Sequence, residues 1–97
     1  MSPAPAPAGA VRIRTAPVAR ADDLPGIVAR LTIAALDPPR TMRWPMLVDV
    51  VAVAHEIVVD LRQPLADFAH ERGCRRVVAH RHTSEEGDVV TVVLVRR

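Results

Sequence analysis

The chain has 97 residues, which suits one small domain that buries a modest share of its surface. All 13 basic side chains are arginine, so Schiff-base catalysis and the P-loop lysine, which both need an amine, are excluded. Residues 1–48 hold six Arg against three acids and residues 49–97 hold seven against eight, a mixed charge that lacks the basic stripe of a nucleic-acid-binding protein.

Cysteine usage and hydropathy predict a cytoplasmic protein. The single Cys74 excludes an internal disulfide and fits a reducing compartment. The start of the chain has neither the basic region nor the apolar core of a secretory signal. The longest apolar run, Met46 to Val59, is interrupted by polar residues and is shorter than the roughly 20 residues of a membrane span. The absence of Lys, Tyr and Asn indicates a high-GC genome.

The first third of the chain predicts a tail, a strand and a helix. Residues 1–9 alternate Pro and Ala, which favours a disordered, extended tail, and residues 10–97 are expected to form one domain. Residues 10–16 alternate apolar and arginine side chains, the period of a half-buried strand. Asp22 to Gly26 supplies a helix start with an acid at the cap, and the helix should end before Pro38.

The middle of the chain is compatible with two structures. As a helix, residues 46–61 place their apolar side chains on one face and their acids on the other. As two neighbouring strands, the same residues match the strand preference of Val and Ile, but require a tight reversal near His55-Glu56. The sequence leaves both alternatives open.

The last third predicts a helix followed by a β-hairpin. Pro64 and Gly73 bracket a short helix, with Pro at its first position and Gly just past its end. Two valine-rich runs, 75–82 and 89–95, are separated by a Gly-containing loop and read as paired strands. The sequence therefore predicts a small two-layer α+β sandwich with a C-terminal β-hairpin.

The segment from Asp23 to Thr32 resembles the Asp-x-Pro-Gly opening of the first helix in ACT domains, which are small regulatory modules that bind amino acids. Residues 57–61, 64–72 and 74–79 also resemble the third strand, second helix and fourth strand of that family. The resemblance implies a ferredoxin-like βαββαβ fold and a ligand-binding turn at Asp23, Pro25 and Gly26. Residues 89–95 would then be a surplus strand.

Several side chains could carry chemistry, and each also has a structural interpretation. His80 and His82 would share one strand face and could bind a metal with His70 or Cys74, although neighbouring arginines disfavour a cation. Cys74 could act as a nucleophile, but a lone cysteine just beyond a helix-ending glycine is more often a small apolar side chain that fills the core. An acidic trio could form a carboxylate cluster or a solvated face: Asp49, Glu56 and Asp60. We therefore expect no catalytic site, metal or cofactor.

These observations favour a non-catalytic association module: a subunit, regulator or adaptor that self-assembles or binds a larger partner protein. Residues 89–95 are apolar on both faces and need cover on each side, which places Val93 and Leu94 among the interface candidates. Trp44, the single indole, is the third candidate. The alternatives are an ACT-like ligand-binding regulatory domain and a structural component of a large assembly such as a phage particle. A fourth hypothesis is a small enzyme using His80, His82 or Cys74.

Overall fold

A computed structural model describes residues 10–42, 47–53 and 56–96 of the chain. The predicted tail (residues 1–9) and Trp44 lie outside the described residues. The described elements follow the order β-α-β-β-α-β-β, with a short 3-10 turn before the first helix. They are β1 (Ala10–Pro17), α1 (Leu24–Leu36), β2 (Val48–Val53), β3 (Glu56–Leu61), α2 (Leu65–Glu71), β4 (Cys74–Ser84) and β5 (Gly87–Arg96). The predicted α+β class is confirmed.

The strands form two antiparallel sheets. A three-stranded sheet has the order β1-β5-β4, and a two-stranded sheet pairs β2 with β3. The middle segment is therefore a pair of strands and not a helix, with Val53 opposite Glu56 at the turn end of the register. This resolves the ambiguity of the sequence in favour of its β-branched residues.

Helix α1 covers one face of both sheets. Asp23 is its N-cap residue, as predicted, although the carboxylate forms no capping hydrogen bond. The helix ends at Leu36, before Pro38, with Asp37 in the left-handed conformation. Its buried side chains recur at helical spacing and include Thr32, whose hydroxyl donates to the Val28 carbonyl at 2.8 Å. This hydrogen bond satisfies the one fully buried hydroxyl of the helix.

Helix α2 and the C-terminal hairpin agree closely with the sequence. Pro64 is the N-cap residue and not the first helical residue, so the predicted start is displaced by one position. Gly73 follows the helix with φ +80°, a conformation that favours glycine. Strands β4 and β5 pair in register from Arg76 opposite Val95 to Ser84 opposite Gly87.

Each sheet has an inner face, which packs on the core, and an outer face. The inner side chains of β4 and β5 form one buried cluster with residues of both helices: Val77, Ala79, Val90, Val92 and Leu94. The inner side chains of β2 and β3 pack against this cluster and are partly buried: Val48, Val50, Ile57, Val59 and Leu61. Both helices therefore lie on the inner side of the sheets.

The alternation along β1 is confirmed, but Ile13 does not face the core. It pairs with Val93 on the outer face and is 36% exposed. Arg12 points instead toward α1, where its guanidinium donates to the Ala35 carbonyl at 3.2 Å. The last carbonyls of a helix have no partner within the helix, so an arginine on the neighbouring strand satisfies one of them.

The topology departs from the implied ferredoxin-like arrangement after the sixth element. The order as far as β4 is βαββαβ, but a seventh element, β5, lies between β1 and β4 in the sheet. The ferredoxin-like arrangement is therefore not confirmed. In the described part of the chain, neither helix has the length and apolar character needed to cross a membrane.

Candidate interaction surface

The outer faces of the two sheets form one surface that neither described helix covers. Strand registers place every second residue of β1, β5 and β4 on this surface, while the residues between them enter the core. The same alternation applies to β3, in which Glu56, Val58 and Asp60 are exposed and their neighbours are half-buried. We call this surface the outer face.

Strands β3 and β4 lie side by side along a seam. Residues 56–58 and 78–80 line one cavity, so the two strands are neighbours there. Because the inner side chains of both sheets join one core, the outer faces lie on the same side of the molecule. The cavity has a volume of about 370 Å³. Because β3 and β4 share no ladder of backbone hydrogen bonds in the described chain, the open edges of two strands face each other across the seam.

One half of the outer face carries hydrogen-bond donors. Arg76, His80 and His82 alternate along β4 opposite Val95, Thr91 and Val89, and all three are exposed. The His82 ring lies 3.2 Å from the Thr91 hydroxyl, which lies 3.1 Å from the hydroxyl of Thr15. This polar row holds the imidazole at the surface of the sheet. We call Arg76, His80 and His82 the donor half.

The other half of the outer face carries carboxylates. Asp49 and Asp60 are directly opposite in the β2–β3 register, and Glu56 lies at the turn end of β3. Like charges directly opposite destabilise a strand pair, and the guanidinium of Arg62 offsets this by an ion pair with Asp49. We call Asp49, Glu56 and Asp60 the acceptor half. The predicted carboxylate cluster is thus a strand face and not a helix face.

Apolar side chains lie among these polar groups. Val51 and Val58 are register partners in the acceptor half and remain 52% and 48% exposed. Ile13 and Val78 flank Val93 on the other sheet, which leaves Val93 6% exposed although no helix covers it. Exposed apolar groups beside polar ones are typical of surfaces that bind proteins.

Cys74 lines a second cavity on the seam, with a volume of about 280 Å³ and with Asp60, His70 and Arg75 in its wall. Burial raises the pKa of the Cys74 thiol, so the thiol is protonated at neutral pH. It donates a hydrogen bond to the Arg76 carbonyl at 3.4 Å and belongs to the buried core. This environment matches the interpretation of Cys74 as an apolar side chain, because a reactive cysteine needs a lowered pKa.

The two predicted strand histidines share a face, as their spacing requires. Cys74 does not join them, because its side chain lies in the core. Across residues 10–42, 47–53 and 56–96, no group of three His, Cys, Asp or Glu side chains is placed to hold a metal ion.

The remaining predicted site residues are dispersed. Leu94 packs in the core on the inner face of the sheet, whereas its neighbour Val93 lies on the outer face. Asp23, Pro25 and Gly26 form the start of α1. A Cβ atom at Gly26 would approach only the tip of Arg30, at 4.0 Å, so the fold itself does not require glycine there.

Sequence reasoning missed Ile13, Val51 and Val58 as surface groups. The signal for the last two was present, because each lies two residues from an acid along its strand and therefore shares the face of that acid. Comparison with known proteins gives no matching family model, no matching curated protein and no matching solved structure.

Proposed function

We propose that the chain is a non-catalytic association module that docks its outer face on a protein, either a second copy or a larger partner. The observation that carries this proposal is the combination of exposed apolar side chains with charged groups on a sheet face that the described helices leave open. A subunit of a larger assembly would use the same surface in the same way.

The small core supports the proposal. The side chains of β2 and β3 that pack inward are only partly buried, so this hairpin buries its apolar side chains less completely than β4 and β5 do. Covering the outer side of the same strands would bury Val51 and Val58, at about 25 cal/mol for each Å² removed from water. A docked partner would therefore stabilise the part of the fold that buries least.

Site-specific crosslinking in the host cell tests the proposal. A photoreactive side chain at Val58 should crosslink to a protein, while the same group at Ala34, exposed on α1, should not. Val51→Asp should remove the Val58 crosslink and leave the chain folded, since the aspartate lies on an exposed position. Leu94→Asp should unfold the chain, because it places a charge in the core. Equal crosslinking from Val58 and Ala34, or none from Val58, would contradict the proposal.

An ACT-like regulatory domain is a second candidate, favoured by the βαββαβ order of the first six elements and by Gly26 in the first turn of α1. An amino acid would then raise the melting temperature of the protein by binding its native state, and Gly26→Val would remove that shift. A broad amino-acid screen without any shift would contradict this candidate.

A further inference from the structure

We infer that the occupant of the outer face is a second copy of this chain, which packs face to face about a two-fold axis along the β3/β4 seam. This inference rests on the proposed function and names its partner. It follows from the distribution of hydrogen-bond donors and carboxylates on the two sides of the seam.

The seam separates two complementary halves of one surface. The donor half, Arg76, His80 and His82, lies on the β4 side, and the acceptor half, Asp49, Glu56 and Asp60, lies on the β2–β3 side. The guanidinium of Arg76 only donates hydrogen bonds and each imidazole can donate one from a ring N–H, whereas ionised carboxylates only accept them. Asp49 is already paired with Arg62 in its own copy, so Glu56 and Asp60 are the carboxylates that would meet the donor half of a second copy, whereas two acceptor halves would place like charges together.

Symmetry then selects one arrangement. A two-fold axis that runs along the seam, parallel to the strands, places the donor half of each copy over the acceptor half of the other. An axis across the strands would place the carboxylates of the two acceptor halves together, where like charges repel. Two-fold pairing uses the same patch on both copies, so one complementary surface is sufficient for a closed dimer.

The dimensions of the face are adequate for such a dimer. Five strands at about 4.8 Å spacing give a width of roughly 24 Å. The six residues of β3 give a length of about 20 Å at the shorter end of the face, and the 11-residue β4 is longer. The projected area of the face is on the order of 500 Å². Protruding side chains make the accessible surface larger than this, and a standard interface buries roughly 800 Å² of accessible surface per partner.

The apolar side chains of the outer face would also be covered in this dimer. The exposed apolar pair Val51 and Val58 in the acceptor half would meet Ile13 and Val78 of the opposite copy, which lie on either side of the buried Val93. Charged groups would surround these contacts, the arrangement of an apolar centre with a polar rim. The same rotation brings Asp60 and Glu56 near the partner's β4.

A charge-swap experiment on the purified protein tests this arrangement. Variant A carries Arg76→Glu and His80→Glu, and variant B carries Glu56→Arg and Asp60→Arg. Sedimentation equilibrium should show a dimer for the wild type and a loss of affinity of about tenfold or more for A and B alone. An equimolar mixture of A and B should restore dimers, because the acidic side chains introduced in A then lie opposite basic side chains of B.

A matched control makes the same change in net charge at a site outside the outer face. Glu85→Arg with Glu86→Arg, in the β4–β5 turn, alters net charge as much as variant B and should dimerise like the wild type. Restored dimers in the mixture also demonstrate that A and B are folded.

The possible failures are distinguishable. A monomeric wild type at the highest attainable concentration, dimers of A or B alone with wild-type affinity, or a mixture that stays monomeric would each overturn the second-copy inference. If Val58 still crosslinks to a different protein in the host cell, the proposed function survives that failure. If purified protein is monomeric and Val58 gives no crosslink, both are overturned.

Discussion

Asp88, at the start of β5, stabilises the β4–β5 hairpin when its carboxylate is ionised. The Arg81 guanidinium and then the Thr83 hydroxyl donate to its carboxylate and lower its pKa. The folded chain therefore binds this proton more weakly than the unfolded chain does. The resulting stabilisation is complete above the ordinary aspartate pKa and is lost as the pH falls through the lowered value.

We predict that Asp88→Asn lowers the melting temperature at neutral pH and that the difference from wild type disappears in acid. The reason is that the wild-type carboxylate is itself protonated below its folded pKa. Thermal unfolding followed by circular dichroism at neutral pH and at an acidic pH below the lowered pKa of Asp88 measures both differences. Glu85→Gln, in the same hairpin, is the control and should have little effect at either pH. A deficit for Asp88→Asn that persists unchanged in acid would refute the electrostatic origin.

Residue identity predicted the alternation of each strand but not always the direction of its faces. Val93 and Leu94 were placed on opposite faces by their spacing alone, and the structure assigns the core to Leu94. For β1 the alternation predicted a half-buried strand, and the structure turns Ile13 outward while Arg12 donates to a carbonyl at the end of α1. The orientation of Arg12 depends on a carbonyl 23 residues away in sequence, which the local alternation does not indicate.

At the scale of elements, two glycines provide a matched comparison. Gly73 ends α2 with φ +80°, where an L side chain is strained. Gly26 lies within α1, and a Cβ atom there would meet only the flexible Arg30 tip at 4.0 Å. The same added methyl group should therefore have opposite effects at the two positions.

We predict that Gly73→Ala destabilises the protein by about 1 kcal/mol and that Gly26→Ala stabilises it by up to about 1 kcal/mol. Urea unfolding of the two variants beside the wild type gives both free energies. Changes of the same sign would contradict the assigned helix ends. A loss of stability at Gly26 alone would show that this turn needs glycine for a reason that the fold does not supply.

Helices were easier to predict than the middle strands because their ends carry local signals. Pro25 and Pro38 mark the limits of α1, and Pro64 and Gly73 those of α2. Residues 46–61 lack such signals, and their apolar residues satisfy both the helical and the strand period. The strand structure is favoured when α1 and the β4–β5 core are present to cover one face of the hairpin.

At the scale of the whole molecule, the pairing of strands was beyond local reasoning. β1 pairs with β5, so Ile13 meets a residue 80 positions later in the chain. The sequence predicted each of these strands but contains no local feature that joins them. The seam was also beyond local reasoning, because it forms only where the chain comes back beside β3 after α2.

The division into two sheets predicts two levels of stability within one molecule. β5 is the central strand of its sheet and has backbone hydrogen bonds to β1 and β4. Between Val90 and Val93, every side chain except that of Thr91 is buried. β2 and β3 bond only to each other in the described chain, and their inward side chains are partly buried. Opening the β2–β3 hairpin therefore breaks side-chain packing but leaves the ladders of the larger sheet intact.

We predict that β2 and β3 amides exchange with solvent through an opening of lower free energy than the opening that exposes β5. Native-state hydrogen exchange at low denaturant concentration, at a protein concentration that keeps the chain monomeric, measures both values. The core of α1 should follow β5, because Val28 and Leu36 belong to its buried cluster. One common opening free energy for both sheets would mean that packing across the seam couples them as strongly as a hydrogen-bonded ladder. A lower value for β2–β3 would instead identify the hairpin as the part of the molecule that gains most when the outer face is covered.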